Sequence, residues 1–97
     1  MVLERPRVLA FHDIRPLAPV HVLIVPREHI ASLWELTDPA LAGELLDCAA
    51  QVARDLALER GFRLIANTRD DGGQEVAHLH LHVLGGRALG PMLARRP

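Results

Sequence analysis

The sequence predicts an α+β fold, in which an antiparallel sheet of four to five strands packs on one long helix. Two runs with strand character come first, followed by one long segment whose apolar residues recur every three or four positions, and then by two more runs with strand character. A chain of 97 residues has the usual size of one small domain. We therefore expect residues 1–97 to form a single domain in the order strand, strand, helix, strand, strand.

The first strand is predicted in RVLAFHDI, residues 7–14, and is expected to end near Asp13. The two prolines of RPLAP mark the loop that follows it. The second strand is predicted in VHVLIVP, residues 20–26, where the last proline stops it. This run is so continuously apolar that we expect both of its faces to be covered.

The helix is predicted in residues 37–61, TDPALAGELLDCAAQVARDLALERG, which carry helix signals at both ends. Thr37 or Asp38 can cap the first turn, Pro39 suits its first position, and Gly61 suits a left-handed C-terminal stop. An apolar stripe of helical spacing runs over about 22 residues and should pack on the sheet. Its members are Leu41, Leu45, Ala49, Val52 and Leu56.

The third strand is predicted in FRLIAN, residues 62–67, and the fourth in EVAHLHLHVLGG, residues 75–86, with a polar glycine-containing turn between them. Side chains alternate across a pleated strand. His78, His80 and His82 therefore share one face, while the apolar residues between them share the other. We expect the apolar face to meet the helix and the histidines to face a site.

Composition excludes several classes of function. Hydrophobic residues make up 49% of the chain and charged residues 24%, which is typical of a folded globular protein. The net charge of -1 and the scattered basic residues argue against a nucleic-acid partner. No apolar run approaches the roughly 20 residues of a membrane span. The single cysteine, Cys48, suits a reducing cytoplasm, and Arg95 with Arg96 is expected to be a solvated tail.

Three interpretations of the histidine face remain open at this point. His78 and His82 are about 13 Å apart on a straight strand, so two of the three rings, with His21 or Asp13, could hold a metal ion. The rings could also be partly exposed polar residues of a one-sided sheet. In the third interpretation one neutral imidazole is a nucleophile, because a hydrogen bond from its other nitrogen to a carbonyl would fix its tautomer, while its neighbours donate protons.

Two stretches resemble the histidine triad family and its nucleotide-binding Hint branch. They are HLHLHVLGGR, residues 78–87, and LAFHDIRPLAPVHVLIVPREHI, residues 9–30, so the resemblance covers about Arg7 to Arg87. It implies a homodimer in which two sheets join into one. It also implies hydrolysis of purine nucleoside 5'-phosphoramidates or acyl-adenylates through a covalent nucleotidyl-histidine, with no cofactor required.

The resemblance also implies a role for individual residues. His80 matches the nucleophile, His82 the neighbour of the phosphate and leaving group, and His78 and His21 the histidines that orient the nucleophile. Asp13 matches the acid that binds the ribose hydroxyls. The matching wall of the base pocket consists of Phe11, His12 and Ile14, and the matching phosphate side consists of Asn67, Gly73, Gln74, Glu75 and Val76.

Some features depart from the family pattern. Only six residues precede Arg7, so we expect a short N-terminus, four strands or an incomplete fifth, and a reduced base pocket. Glu75 stands where many members have serine or threonine, and the tail lacks their tryptophan-proline ending. A nucleotide-binding scaffold with little catalysis, or a metal-dependent hydrolase, is therefore kept as an alternative. We expect His29 to be structural or solvated, Cys48 to be a buried small side chain and Trp34 to be a packing residue.

Overall fold

Within residues 1–94, five strands form one antiparallel sheet and one α-helix covers a face of it. The computed structural model describes these residues, so the predicted tail at Arg95 and Arg96 lies outside the described residues. The elements are β1 (Leu3–Glu4), β2 (Val8–His12), β3 (Val20–Pro26), a 3-10 turn (Leu33–Glu35), α1 (Pro39–Asp55), β4 (Phe62–Ile65) and β5 (Leu81–Gly85). The sheet order is β1-β2-β3-β5-β4. The predicted α+β class is confirmed, and the first of the five strands has only 2 residues.

The start of α1 follows the predicted capping chemistry. Asp38, the second of the two candidates, accepts the backbone N–H groups of Ala40 and Leu41 at 3.0 and 3.3 Å, as an N-cap side chain does. The Arg7 guanidinium lies 2.8 Å from the other carboxylate oxygen, and this hydrogen bond lowers the pKa of Asp38.

The end of α1 differs from the prediction. The helix has 17 residues and stops at Asp55, well before Gly61. Ala57 takes the left-handed conformation, with φ 56°, and its N–H donates to the Arg54 carbonyl while the Leu58 N–H donates to the Ala53 carbonyl. These two bonds form a Schellman motif with alanine in the position that usually holds glycine. The chain reverses there because Leu58 packs back against the core.

The core lies between α1 and one face of the sheet. Four of the five residues of the predicted helical stripe are buried, and Leu56 is partly buried against them. The sheet contributes Val8, Ala10, Val22, Ile24, Leu81 and Val83. Cys48 is also fully buried, and burial raises the pKa of its thiol, which agrees with its expected structural role.

The opposite face of the sheet is only half covered. Leu23 and Val25 of β3 are partly buried there, whereas Val22 and Ile24 on the helix side are fully buried. The prediction that both faces of β3 are covered was therefore wrong, since α1 lies on one side only. The prediction for Trp34 was also wrong: this side chain is 72% exposed, with the Arg69 guanidinium 5.1 Å from its ring.

The strand that carries the histidines is shorter than predicted. β5 begins at Leu81 rather than near residue 75, so the chain that leads to it lies beside the sheet without strand pairing. It is held instead by contacts such as the Leu79 N–H donating to the Ile30 carbonyl at 2.6 Å. Among residues 1–94 no helix has the length and apolar character that crossing a lipid bilayer requires.

Candidate active site

The open face of the sheet carries a row of side chains that crosses four strands. In the pairing register Phe11 of β2 is opposite Leu23 of β3, Leu23 is opposite His82 of β5, and His82 is opposite Ile65 of β4. Residues opposite each other in antiparallel strands point to the same face. His82 therefore projects from the middle of an apolar platform, on the side of the sheet that α1 leaves open.

His80 lies beside His82 and has one defined tautomer. Its Nδ1 lies 2.7 Å from the backbone carbonyl of His78. Because a carbonyl only accepts, the Nδ1 of His80 carries the hydrogen, and the neutral ring has a bare lone pair on Nε2. This is the arrangement that a nucleophilic imidazole needs.

A second chain of hydrogen bonds fixes the tautomer of His82. The backbone N–H of Leu17 donates to Nδ1 of His21 at 3.1 Å, so the hydrogen of a neutral His21 is on Nε2. That Nε2 lies 2.8 Å from Nδ1 of His82 and donates to it. The hydrogen of a neutral His82 is therefore on Nε2, which makes this nitrogen a donor toward any ligand on the open face.

The surroundings of His82 favour its neutral form. Burial is the main reason that its pKa is lowered, and the neighbouring His80 and His21 rings add to the effect. The His80 and His82 rings meet edge to face, with centroids 5.0 Å apart and planes at 68°. The two adjacent rings thus carry a bare nitrogen on His80, able to attack an electrophile, and an N–H on His82, able to donate to one of its oxygens.

His21 supports His82 rather than the predicted nucleophile directly. Its side chain is buried, and its polar contacts are Leu17, His82 and the Asp13 carboxylate, which lies 3.6 Å from its Nε2. That distance is too long for a hydrogen bond, so His82 remains the acceptor. The negative charge of Asp13 nevertheless favours a hydrogen on the facing nitrogen.

Asp13 also holds the loop that follows β2. Its Oδ1 accepts the backbone N–H of Arg15 at 2.8 Å, and its own N–H donates to the His21 carbonyl. Asp13 therefore caps this loop through both its side chain and its backbone. A partly buried carboxylate beside the histidine row remains able to accept hydroxyl hydrogens from a ligand.

The two other rings of the histidine cluster form a separate pair. His78 does not stack on His80; its Nε2 lies 3.1 Å from the Pro26 carbonyl and its Nδ1 lies 3.3 Å from Nδ1 of His29. The support that His78 gives to His80 comes from its backbone carbonyl. The side chain of His78 instead connects the segment before β5 to the end of β3.

The amides of the glycine turn are used for hydrogen bonds within the turn, which the sequence did not indicate. The N–H groups of Gly73 and Gln74 donate to the carbonyls of Asp70 and Arg69, so neither amide is available to a phosphate. The Gln74 side chain accepts the Arg69 N–H and donates to the carbonyls of Ala31 and Val76. The Gln74 side chain therefore stabilises the turn and joins it to Ala31, and its hydrogen-bonding groups are occupied within the protein.

The remaining phosphate-side residues lie on either side of that turn. Asn67 is half-buried just after β4, and Glu75 and Val76 are exposed on the way to β5. Within residues 1–94 the N–H groups of Glu75 and Val76 have no hydrogen-bond partner in the protein. They are the backbone donors of this stretch that a bound anion could use.

The predicted base-pocket residues do not all share a face. Phe11 is in the His82 row, whereas His12 pairs with Val22, a residue of the buried helix side. Ile14 is 92% exposed in the loop after β2. The pleat therefore groups Phe11 with the histidines and separates His12 from them.

The described side chains do not form a metal site. Residues 1–94 contain no group of three or more histidine, cysteine, aspartate or glutamate side chains with a metal-binding arrangement. The His80 Nδ1 and His82 Nδ1 atoms already have hydrogen-bond partners in the protein. The geometry thus gives no support to the metal interpretation of the histidine pattern.

Three groups that shape the site were missed by sequence reasoning. They are the Leu17 amide, the Pro26 carbonyl and the His29 ring, each of which fixes a histidine nitrogen. Backbone groups give no residue-type signal, and His29 was expected to be structural or solvated. Only a search for a partner to each ring nitrogen would have found them.

The sequence and the fold are similar to those of known proteins. A model of the HIT domain matches residues 1–89. The purine nucleoside phosphoramidase of Escherichia coli (strain K12) is 47% identical over 93 residues, which cover 92% of this chain and 77% of that protein. A histidine triad protein from Clostridium difficile superposes with a TM-score of 0.89 at 40% identity, over 95% of this chain and 83% of its own.

A further solved structure supports the same grouping. The HIT family hydrolase from Legionella pneumophila Philadelphia 1 gives a TM-score of 0.87 at 46% identity, over 92% of this chain and 82% of its own. The family model extends over most of the chain, the curated relative is 47% identical, and the two solved structures share the fold. The chain therefore belongs to the HIT domain family.

Proposed function

We propose that this protein hydrolyses purine nucleoside 5'-phosphoramidates or acyl-adenylates through a nucleotidyl-His80 intermediate. The observation that carries the proposal is the 2.7 Å contact between His80 Nδ1 and the His78 carbonyl, which leaves Nε2 as a free nucleophile on the open face. The name of the 47% identical relative, purine nucleoside phosphoramidase, supports this class of substrate.

In the first chemical step the lone pair of His80 Nε2 attacks phosphorus and the bond to the leaving group breaks. An acyl leaving group departs as a carboxylate, and an amine takes up a proton from solvent as it leaves. The adenylylated His80 ring then carries a positive charge, and its Nδ1–H donates to the His78 carbonyl. A hydrogen bond from a charged donor is worth about 1.5–3 kcal/mol against about 1 for a neutral one, so this contact favours the intermediate over the resting state.

In the second step a water attacks phosphorus on the side opposite His80. The P–N bond breaks, its electron pair returns to Nε2, the water proton passes to solvent and the nucleoside monophosphate leaves. Throughout, the Nε2–H of His82 is placed to donate to a phosphoryl oxygen, which is stabilisation by a preorganised donor. The route uses protein groups and water alone, and we propose that no cofactor is required.

Binding of the nucleotide is proposed to use the groups next to the histidine row. Asp13, with its partly buried carboxylate, would accept the ribose hydroxyls. Phe11 and the exposed Ile14 would contact the purine, and the N–H groups of Glu75 and Val76 would meet the phosphate. A carboxylate at Glu75 is compatible with this if the side chain stays in solvent, where it is exposed.

We also propose that the protein is a homodimer. β4 is an edge strand of the sheet, and Phe62 and Leu64 on it are 43% and 39% exposed. Beside it an apolar groove of about 280 Å³ is bordered by Leu46, which is 57% exposed. An unpaired apolar edge is a natural place for a second copy to pair. Light scattering should give twice the chain mass for the wild type and the chain mass for Leu64→Lys; a wild-type monomer would contradict the proposal.

The catalytic proposal is tested with His80→Ala and an adenosine 5'-phosphoramidate. Release of ammonia should fall at least about 10³-fold, since loss of a covalent nucleophile removes the main route. AMP binding measured by calorimetry should persist, which shows that the fold and pocket survive. Wild-type enzyme quenched with alkaline detergent during turnover of a substrate labelled in its phosphate should retain label at His80, because a phosphorus–nitrogen bond to histidine survives base but not acid; full turnover by the variant would reject the proposal.

A nucleotide-binding scaffold is a second candidate, favoured by the internal use of the Gly73 and Gln74 amides. Loss of phosphate donors weakens transition-state stabilisation more than ground-state binding. Tight AMP binding by wild-type protein with negligible turnover would favour this candidate. Loss of turnover after chelator treatment, restored by zinc, would instead favour a metal-dependent hydrolase.

A further inference from the structure

The segment before β5 is held in place by the connection that follows β3. Leu79 donates its N–H to the Ile30 carbonyl, the His78 ring lies 3.1 Å from the Pro26 carbonyl, and the Gln74 amide donates to the Ala31 carbonyl. This segment has no strand pairing of its own. The His78 carbonyl that fixes the tautomer of His80 therefore depends on contacts with residues 26–31.

Within these contacts the proton positions of two rings can be worked out. The Pro26 carbonyl only accepts, so the hydrogen of a neutral His78 is on Nε2. Its Nδ1 is then a bare acceptor, and the Nδ1 of His29, at 3.3 Å, must be the donor. The two rings meet nearly edge to face, with centroids 5.2 Å apart and planes at 65°. Both nitrogens of the His78 ring are thus occupied by protein groups.

We propose that His29 is a positioning residue for the nucleophile and that it acts through His78. His29 donates to Nδ1 of His78 while Nε2 of the same ring donates to the Pro26 carbonyl. These two hydrogen bonds fix the position of His78, so that its backbone carbonyl stays 2.7 Å from His80 Nδ1. The inference rests on the proposed function, in which the same carbonyl stabilises the charged His80 intermediate. His29 itself touches neither His80 nor His82 among the contacts of residues 1–94.

This role makes a different prediction from substrate contact. A residue that touched the leaving group would mainly change KM or the preference among leaving groups. A residue that holds the support of the nucleophile changes kcat for every leaving group and leaves nucleotide binding unaltered. The effect of removing the His29 side chain must also vanish once the His78 ring is gone, because, among residues 1–94, that side chain meets the segment through this ring.

The experiment compares His29→Ala, His29→Asn and the neighbouring Glu28→Ala with wild type. One exposed hydrogen bond lost corresponds to about a threefold to tenfold decrease in kcat for His29→Ala, with KM for the phosphoramidate changed less than twofold. Asparagine retains an N–H donor at the side-chain end, so His29→Asn should recover at least half of the lost rate. Glu28, whose side chain bonds Arg7 away from the histidines, should be silent.

The double variant His29→Ala/His78→Ala decides whether the effect passes through His78. We expect it to be no slower than His78→Ala alone, whereas independent roles would make the two decreases multiply. A multiplicative result, or a wild-type kcat for His29→Ala, would overturn the inference. An increase in KM alone would overturn it in favour of substrate contact.

A second readout does not depend on turnover. Long-range proton–nitrogen NMR distinguishes Nδ1–H from Nε2–H histidine tautomers, and in wild type His80 should be the Nδ1–H form. His29→Ala should lower that fraction, and His29→Asn should restore it; an unchanged tautomer in His29→Ala would contradict the inference. The two proposals can fail separately. If His80→Ala retained turnover, the proposed function would fail, while a change of the His80 tautomer in His29→Ala would still support the coupling between His29 and His80.

Discussion

Removal of the His21 ring is the perturbation that tests the hydrogen-bond chain behind His82. His21 is 3% exposed and connects the Leu17 amide to Nδ1 of His82 at 3.1 and 2.8 Å. In His21→Ala both partners lose a hydrogen bond at partly buried positions, at about 1 kcal/mol each, and the packing of the ring is lost as well. We expect the free energy of unfolding to fall by about 2–3 kcal/mol.

The comparison with His21→Gln separates the hydrogen bond from the packing. Glutamine retains a side-chain N–H that can donate to Nδ1 of His82, so we expect it to recover about 1 kcal/mol of the loss. Urea denaturation at one protein concentration measures both variants, which keeps any dimer contribution equal. NMR should show His82 as the Nε2–H tautomer in wild type and as a mixture in His21→Ala.

Two results would refute this account of the chain. One is a stability of His21→Ala within 0.5 kcal/mol of wild type, on the order of an ordinary surface substitution. The other is an unchanged His82 tautomer in that variant. Either result would mean that the geometry around Leu17 does not control His82.

Three further predictions concern pH, the helix end and the glycine turn. Because burial lowers the pKa of His82 below its ordinary value of 6.5, the unfolded state gains a proton first on acidification; stability should fall as pH drops below about 6.5, and the slope should be smaller in His82→Gln. Ala57→Gly should raise the free energy of unfolding by about 1 kcal/mol, because residue 57 has a positive φ; a loss in thermal denaturation would contradict this. Gly72→Ala should lower the midpoint of unfolding and impair turnover, since a Cβ there would overlap the Thr68 carbonyl oxygen; wild-type behaviour would contradict this.

Much of the fold could be predicted because its signals are local. His80 and His82 lie on one face of the chain and Leu81 on the other because side chains alternate in any pleated strand. The capping role of Asp38 follows from the chemistry of its carboxylate next to free amides. The tautomer of His80, the proposed nucleophile, also depends on a local contact, since its Nδ1 bonds to a carbonyl only two residues earlier in the chain.

Other features depended on partners that are distant in sequence. The helix ends at Asp55 rather than near Gly61 because Leu58 finds a place on the core, and that gain outweighs the strain of a left-handed Ala57. Gln74 has the composition of a ligand contact, yet its amide is occupied by the Ala31 carbonyl from another segment. Neither the end of the helix nor the internal contacts of Gln74 could be predicted from the spacing or the type of the residues.

By itself the sequence determined which side chains share a face of the sheet, because that depends on the local geometry of one strand. The tertiary structure alone decided which nitrogen of the His82 and His78 imidazoles carries the hydrogen. A ring nitrogen takes its hydrogen according to the donor or acceptor facing it, and for His82 that determinant comes from Leu17 through His21, while for His78 it comes from Pro26. These groups meet only when β3 and the chain around β5 are folded together.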